Sequence, residues 1–493
     1  MAAAPGPLSR SVVDTSQMET LDLVAPSMAP GGNRYGVILR LALPTVLAML
    51  SQSVVNEIDV IYFSHLPCPM SSNGQAALLP SLILTWLFGG SLSAISVGTQ
   101  ALVARRYAEG DRRAAGAVLT NTAFFCVVAG ALFSVVGMLC LPWLVRSMIE
   151  VPEVQRIALS YTRWRLLGII SMAASMGIKS FFDGIGRTHV HLVAAIVMNA
   201  VNIVLCWMFI FGHLGAPSMG PTGAGVAAFL ATWLGLGIMI LYAALVRREY
   251  HPIRWSNLSG ALTWSILKLS IPAGAATVFM MLGFGLFTRA VGKLDAGMAT
   301  GVASVASHCG GAEAVRSAAN TDIVEILKLT FTACLAFGTA TATLISQSLG
   351  RRRPDEAQKW GWASVRLGIV LFGIVGVCEG FLFTHALVAL VSNSSAVRAE
   401  AIFPLRIMGI ATPIIAVAMI LTEGLFGAGN TKFVAIAQLV LVFGCLVPGA
   451  YVLGIVLHLA LKGIWIAAFV YSCLAAATMS TKFAGGSWKT IKL

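Results

Sequence analysis

Apolar residues in this chain come in long continuous runs broken by short polar clusters. A helix crossing ~30 Å of hydrocarbon needs about 20 apolar residues. Runs of at least that length lie at 37–63, 76–103, 116–145, 157–182, 190–213, 222–246, 264–292, 321–349, 362–391, 399–426, 433–456 and 460–483. They predict twelve transmembrane helices, the fourth and eighth being the most polar and so the weakest. A closed β-barrel would alternate apolar and polar positions over ~10-residue segments; these runs do not alternate.

Composition narrows the class further. Of 493 residues, 57% are hydrophobic and 11% charged, against roughly 25% charged in a soluble domain. That excludes a soluble enzyme, a secreted disulfide scaffold and a disordered chain. The net charge of +13 is scattered over short loops, so it lacks the basic footprint that nucleic-acid binding requires. Seven of nine cysteines sit inside apolar runs, leaving Cys68 and Cys309 in loops and no C-x-x-C pair. Residues 1–33 are polar and punctuated by Pro5, Pro7, Pro26, Pro30, Gly31 and Gly32, and they have no signal-peptide apolar core. They predict a flexible cytoplasmic tail.

An even number of spans places both termini on one side. The loops on that side hold Arg105, Arg106, Arg112, Arg113, Arg247, Arg248, Arg254, Arg351, Arg352, Arg353 and Lys359. The opposite loops hold mainly Arg146, Arg156, Arg316, Arg398 and Lys462. Positive charge collects on the cytoplasmic side, so both termini are expected there, in a cell or plasma membrane.

A repeat of roughly 240 residues runs through the chain. Pro44 recurs as Pro272, Gly98-Thr99 as Gly338-Thr339, and the Gly110 loop as the Gly350 loop. Arg165 with Gly168 recurs as Arg406 with Gly409, Gly184-x-Gly186-x-Thr188 as Gly427-x-Gly429-x-Thr431, and Gly223 as Gly463. Six helices per copy make the repeats parallel. The expected fold is therefore all-α and polytopic, with twelve transmembrane helices in two parallel-repeat six-helix lobes. The divisions are a tail at 1–33, lobes at 34–248 and 264–483, a cytoplasmic linker at 249–263 and a second cytoplasmic tail at 484–493. Two such lobes facing each other are a secondary-transporter plan, with substrate bound between the repeats near the midplane.

Over residues 36–483 the chain resembles the multidrug and toxic compound extrusion (MATE) transporters. The resemblance is carried by Leu43-Pro44, by Ser51-Gln52-Ser53 followed by Asp59 and His65-Leu66, and by the Gly110-Asp111 loop. Gly184-x-Gly186-x-Thr188, Asn199 and Asn202 before Ile210-Phe211-Gly212, the run Gly338–Gly350 and Gly427–Thr431 complete it. It implies export of cationic or amphiphilic organic compounds (drugs and toxins) by antiport against protons or sodium ions. No nucleic-acid partner and no cofactor are expected, and the working unit is a monomer.

Carboxylates inside a bilayer are costly and mark function. Asp59 and Glu57 lie two residues apart on the first span, so at ~100° per residue they face opposite sides. Asp59 followed by Ser64, His65 and Leu66 matches the family's pattern, which makes it the coupling acid, with Glu57 the secondary candidate. Asn199 and Asn202 share one face of the fifth span, and Asn202 matches the family position beside that acid. Where many members carry a second acid one turn later, this chain has Cys206. The seventh span has no Glu, and Phe287 stands where the second repeat would match Asp59. One carboxylate with an amide beside it suits a proton better than sodium, which wants about five or six oxygens in the manner of other hard cations.

Met280, Phe284 and Phe287 at helical spacing are either a soft substrate wall or ordinary packing. Arg165, Arg406, Asp183 and Glu423 read as repeat-related structural ion pairs, with each arginine meeting an acid or helix-end carbonyls. No metal-ligand, nucleophile-elbow or phosphate-loop motif is present, so transport energy must come from an ion gradient. The alternative is a flippase for lipid-linked sugars in the same superfamily, which needs Arg289, Arg366 and Arg406 to converge on a phosphate.

Overall fold

The computed structural model describes residues 33–67, 70–149, 152–245, 247–250, 254–298, 315–391 and 395–491, with some side chains inside those helices left out. Among them every regular element is helical. The first lobe comprises α1 (Arg34–Ser64), α2 (Met70–Phe88), α3 (Ile95–Ala108), α4 (Arg112–Met148), α5 (Pro152–Leu167), α6 (Ile169–Gly184), α7 (His189–Phe211) and α8 (Pro221–Leu245). A short α9 (Arg247–Tyr250) leads to the second lobe. That lobe holds α10 (Gly260–Met298), α11 (Val315–Gly350), α12 (Pro354–Val377), α13 (Thr384–Val391), α14 (Ser395–Gly427), α15 (Thr431–Leu441), α16 (Val447–Tyr451) and α17 (Ala460–Ala484).

Ten helices are long and apolar enough to cross a membrane, and twelve spans result when each of two bent pairs is one span. The chain is a multi-pass membrane protein. The eighth span, expected to be weak, is the single helix α11; the second and fourth are the bent ones, each by 42°. At the fourth, Gly168 N–H is shared between the carbonyls of Trp164 and Arg165, a local tightening that bends the helix where no side chain fills the turn.

The repeat survives in atomic detail. Gly186 and Gly429 both take left-handed backbone, φ +80° and +86°, which only glycine adopts cheaply. Around them Arg187 N–H bonds Phe182 O, as Asn430 N–H bonds Leu425 O. Gly223 packs on the Phe209 carbonyl as Gly463 packs on that of Leu453. One register is corrected: Gly184 packs on the Gln100 carbonyl as Gly427 packs on that of Ala342. Gly98-Thr99 therefore corresponds to Ala340-Thr341, and Gly338-Thr339 lies two residues earlier. Likewise Gly427 matches Gly184, so Phe426, not Glu423, takes the place of Asp183.

The lobes interlock at the end carrying both termini. Ile38, Leu41 and Ala42 of α1 lie in a core made mostly by the second lobe, and Ile266 and Leu269 of α10 lie in the first lobe's core. Gln100 donates to Thr339 O at 2.9 Å and Thr343 Oγ1 at 2.8 Å; Ser346 donates to Ala101 O and Gln347 to Gly184 O, both at 2.8 Å. Arg105 reaches Ala428 O at 2.9 Å and Ile491 O at 2.8 Å. At the opposite end, Phe63, Tyr161, Cys206 and Ala224 form a core within the first lobe alone, and Phe287, Leu405 and Trp465 one within the second. Within 485–491 the chain packs back on the second lobe: Trp488 is fully buried and stacks on Phe483 at 4.7 Å.

Candidate functional site

Asp59 lies late on α1, at the end of the first lobe opposite the termini, with 7% of its surface exposed. Tyr161 on α5 donates its hydroxyl to Asp59 Oδ2 at 3.4 Å. One turn later Arg165 donates Nη1 to the Tyr161 hydroxyl at 2.7 Å and lies 3.7 Å from the same Asp59 oxygen. The guanidinium also sits 5.5 Å from the Tyr161 ring, a cation–π contact that fixes it. On the other side Cys206 Sγ of α7 is 3.6 Å from Asp59 Oδ1 and 3.3 Å from Asn202 Oδ1. Asp59 thus receives a phenol, a guanidinium and a thiol. Each is a donor, and the one full positive charge balances the one negative charge.

Of the residues singled out from sequence, Asp59, Cys206 and Asn202 come together, with Cys206 standing between the acid and the amide. Asn199 is buried two turns inward and donates Nδ2 to Ser51 at 2.9 Å. Both asparagines therefore face α1, at different depths. Glu57 lies on α1 with its side chain outside the described residues. The α10 group divides: Phe287 is 2% exposed and packs edge-on against Trp465, while Met280 and Phe284 are exposed.

Arg165 finds its acid as expected. Arg406 does not: it is exposed on α14 and makes no ion pair among the described residues. The second lobe has no aspartate where the first has Asp59. Asp183 pairs with Lys179 at 2.7 Å. Glu379, unexplained by sequence, accepts a hydrogen bond from Thr330 within a π-helical turn at Cys378–Leu382, and His385 is exposed. Arg366 lines a hollow at the terminal end with Arg34 and Lys359, whereas Arg289 lies near the opposite end of α10. These arginines do not form one phosphate-binding cluster.

Sequence reasoning missed two parts of the pocket. The first is Tyr161, which carried no polar-in-membrane signal; Arg165 was expected to meet an acid, but that this acid is Asp59, over a hundred positions away, was not legible. The second omission is an aromatic hollow of about 330 Å³ near the C-terminal ends of α1 and α7, lined by Ile61, Tyr62, His65, Trp207, Phe211 and His213. Trp207 stacks on His213 at 4.1 Å there.

Comparison with known proteins places these features in context. The sequence profile of the MatE family matches residues 44–208 and 318–452. A probable multidrug resistance protein NorM of Thermotoga maritima is 22% identical over 462 residues, covering 92% of each chain. The multidrug resistance protein PmpM of Pseudomonas aeruginosa is 24% identical over 54% of this chain and 55% of its own. Among solved structures, an outward-facing multidrug resistance MATE transporter of the MOP superfamily superposes with TM-score 0.80 at 20% identity, covering 92% of this chain and 97% of that one. A MOP-superfamily transporter from Pyrococcus furiosus, described as having a binding pocket of reverse polarity, gives 0.80 at 19% identity with the same coverage.

Proposed function

This chain belongs to the MatE family, and from that premise we propose that it is a multidrug efflux transporter, exporting cationic or amphiphilic organic compounds by proton antiport. The names of its relatives support efflux of varied drugs in preference to an enzymatic role. The observation that carries the choice of ion is the shell around Asp59: a guanidinium 3.7 Å away, with a phenol and a thiol as the other neighbours. A sodium ion would need about five or six oxygen ligands and would sit against that guanidinium. A proton needs only the carboxylate.

The two lobes, taken as 34–248 and 264–483 about the linker 249–263, turn against each other. With both termini cytoplasmic, the interlocked end is the cytoplasmic one, held shut by Gln100, Arg105, Ser346 and Gln347. Drug enters from the cytoplasm or inner leaflet while Asp59 is ionised and held by Arg165 and Tyr161. A proton arriving from outside neutralises Asp59, weakens its hold on Arg165 and frees it to share a hydrogen bond through Cys206 toward Asn202. The outer part of α1 then shifts and the guest is expelled. Because Arg165 already balances Asp59, the drug cation meets a pocket without net charge. Its recognition falls to faces such as Tyr62, Trp207 and Phe211, which suit an aromatic or cationic guest. A difference of one pH unit supplies about 1.4 kcal/mol per proton, enough for roughly tenfold accumulation in a neutral exchange.

Proteoliposomes loaded with an ethidium-like cation test this reading. A pH gradient should drive its transport in sodium-free buffer. Transport driven only by a sodium gradient would overturn the proton assignment, and movement of lipid-linked sugar without drug transport would favour the flippase.

A further inference from the structure

A hollow of about 790 Å³ lies at the end carrying the termini, between the start of α1 and the first turns of α12. That volume falls within the range of small-molecule sites. Its walls hold three cations, Arg34 of α1 with Lys359 and Arg366 of α12, and one acid, Asp355. The acid is already engaged, since Lys489 donates Nζ to Asp355 Oδ1 at 2.8 Å. Arg34 sits 5.9 Å from the ring of Trp360, a cation–π contact that anchors it without neutralising its charge. All three cations are exposed, and none makes an ion pair among the described residues. The hollow therefore carries unmatched positive charge, which draws an anion.

The kind of anion follows from where the two helices lead. Arg366 lies more than three turns into α12, about 18 Å along its axis, inside the apolar span Pro354–Leu382. A bare guanidinium exposed at that depth is costly in a bilayer. Helical side chains tilt toward the N-terminus of their helix, so Arg366 reaches back toward Lys359, two turns nearer the surface on the same face. Beyond Arg366 that face continues as Val370, Ile374 and Val377, all exposed. On α1 the exposed Tyr35 is followed at every fourth position by Leu39, Leu43 and Leu47, also exposed. Tyr35 and Trp362 in the wall of the hollow are residue types that favour the membrane–water boundary. A soluble anion has no use for the apolar stripes. A zwitterionic lipid brings a cation of its own to the three already present.

We propose that this hollow binds the headgroup of an anionic phospholipid, in the leaflet on the side of the termini. The phosphate lies among Arg34, Lys359 and Arg366, where a guanidinium fork matches phosphate oxygens. The acyl chains descend along the exposed stripes of α1 and α12. These helices belong to different lobes, so the bound lipid bridges the lobes at their interlocked end. The site is separate from the Asp59 pocket and independent of the efflux reading; the cytoplasmic placement of the termini only names the leaflet as the inner one.

Native mass spectrometry of the full-length protein in detergent tests this, with dioleoyl-phosphatidylglycerol, dioleoyl-phosphatidylcholine and inorganic phosphate as probes. The first phosphatidylglycerol should bind at lower concentration than the first phosphatidylcholine, and inorganic phosphate at equal concentration should not displace it. Arg366→Gln and Lys359→Gln should each weaken that first binding by about fivefold, the worth of one basic residue at an anionic lipid surface. Both side chains are exposed, so the variants lose no packing. Arg351→Gln removes an exposed charge at the same end but outside the hollow, and should bind lipid as wild type does. Equal binding of the two lipids overturns the proposal. So does an equal loss in Arg351→Gln, which would mean diffuse attraction to the whole surface. Displacement by inorganic phosphate would overturn it in favour of a soluble anion. Asp14, Glu19 and Asp22 lie outside the described residues; selective lipid binding that emerges only in Asp14→Asn/Glu19→Gln/Asp22→Asn would give the hollow to the chain's own acidic segment.

Discussion

Arg165 lies 3.7 Å from the Asp59 carboxylate and holds the hydroxyl of Tyr161, one turn back on its own helix, at 2.7 Å. The pair joins α1 to α5 at the end of the first lobe opposite the termini. Removing one member of such a buried pair strands the other charge, which costs about 3–5 kcal/mol. Arg165→Gln should therefore lower the melting temperature of the detergent-solubilised protein well below wild type, and adding Asp59→Asn should restore most of it. Equal melting of wild type and Arg165→Gln would mean that the pair contributes nothing.

Coupling should depend on Asp59 far more than on Glu57. Asp59→Asn should insert and retain some drug binding, yet lose pH-driven efflux in inverted vesicles. Glu57→Gln should lose much less. Normal pumping by Asp59→Asn together with failure of Glu57→Gln would move the coupling acid to Glu57.

Orientation is tested with an impermeant thiol reagent on intact cells, using single cysteines. Position 72 should label from outside and position 355 should not, because Asp355 lies exposed at the start of α12, on the side of the termini. The reverse pattern would invert the topology.

Phe287 and Met280 should separate packing from recognition. Phe287→Ala empties a buried site against Trp465 and should cost about 3–5 kcal/mol in stability. Met280 is exposed, so Met280→Ala should leave melting nearly unchanged. A shift in the ranking of transported drugs by Met280→Ala would give it a place in the substrate wall; unaltered ranking would remove it.

Gly429 occupies left-handed backbone, φ +86°. Gly429→Ala should destabilise by about 1–2 kcal/mol, as should Gly186→Ala in the equivalent turn. A melting temperature unaffected by both would contradict the conformation of these turns.

The sequence by itself determined the number and length of the spans, because bilayer thickness sets a run length that composition either meets or does not. It also determined the duplication, since turns such as Gly184-x-Gly186 and Gly427-x-Gly429 need the same residue for the same backbone reason. Asp59 stood out because a carboxylate in an apolar run is conspicuous alone. Tertiary structure decided what each such group meets. Whether Asp59 faced Asn202 or an arginine depended on how α1, α5 and α7 are rotated about their axes, which the spacing of residues within each helix does not fix. The same freedom left Arg406 exposed while its counterpart Arg165 was paired. Lengths and turns are local and are written in the chain; charge partners are chosen across helix interfaces, where only packing sets the distance.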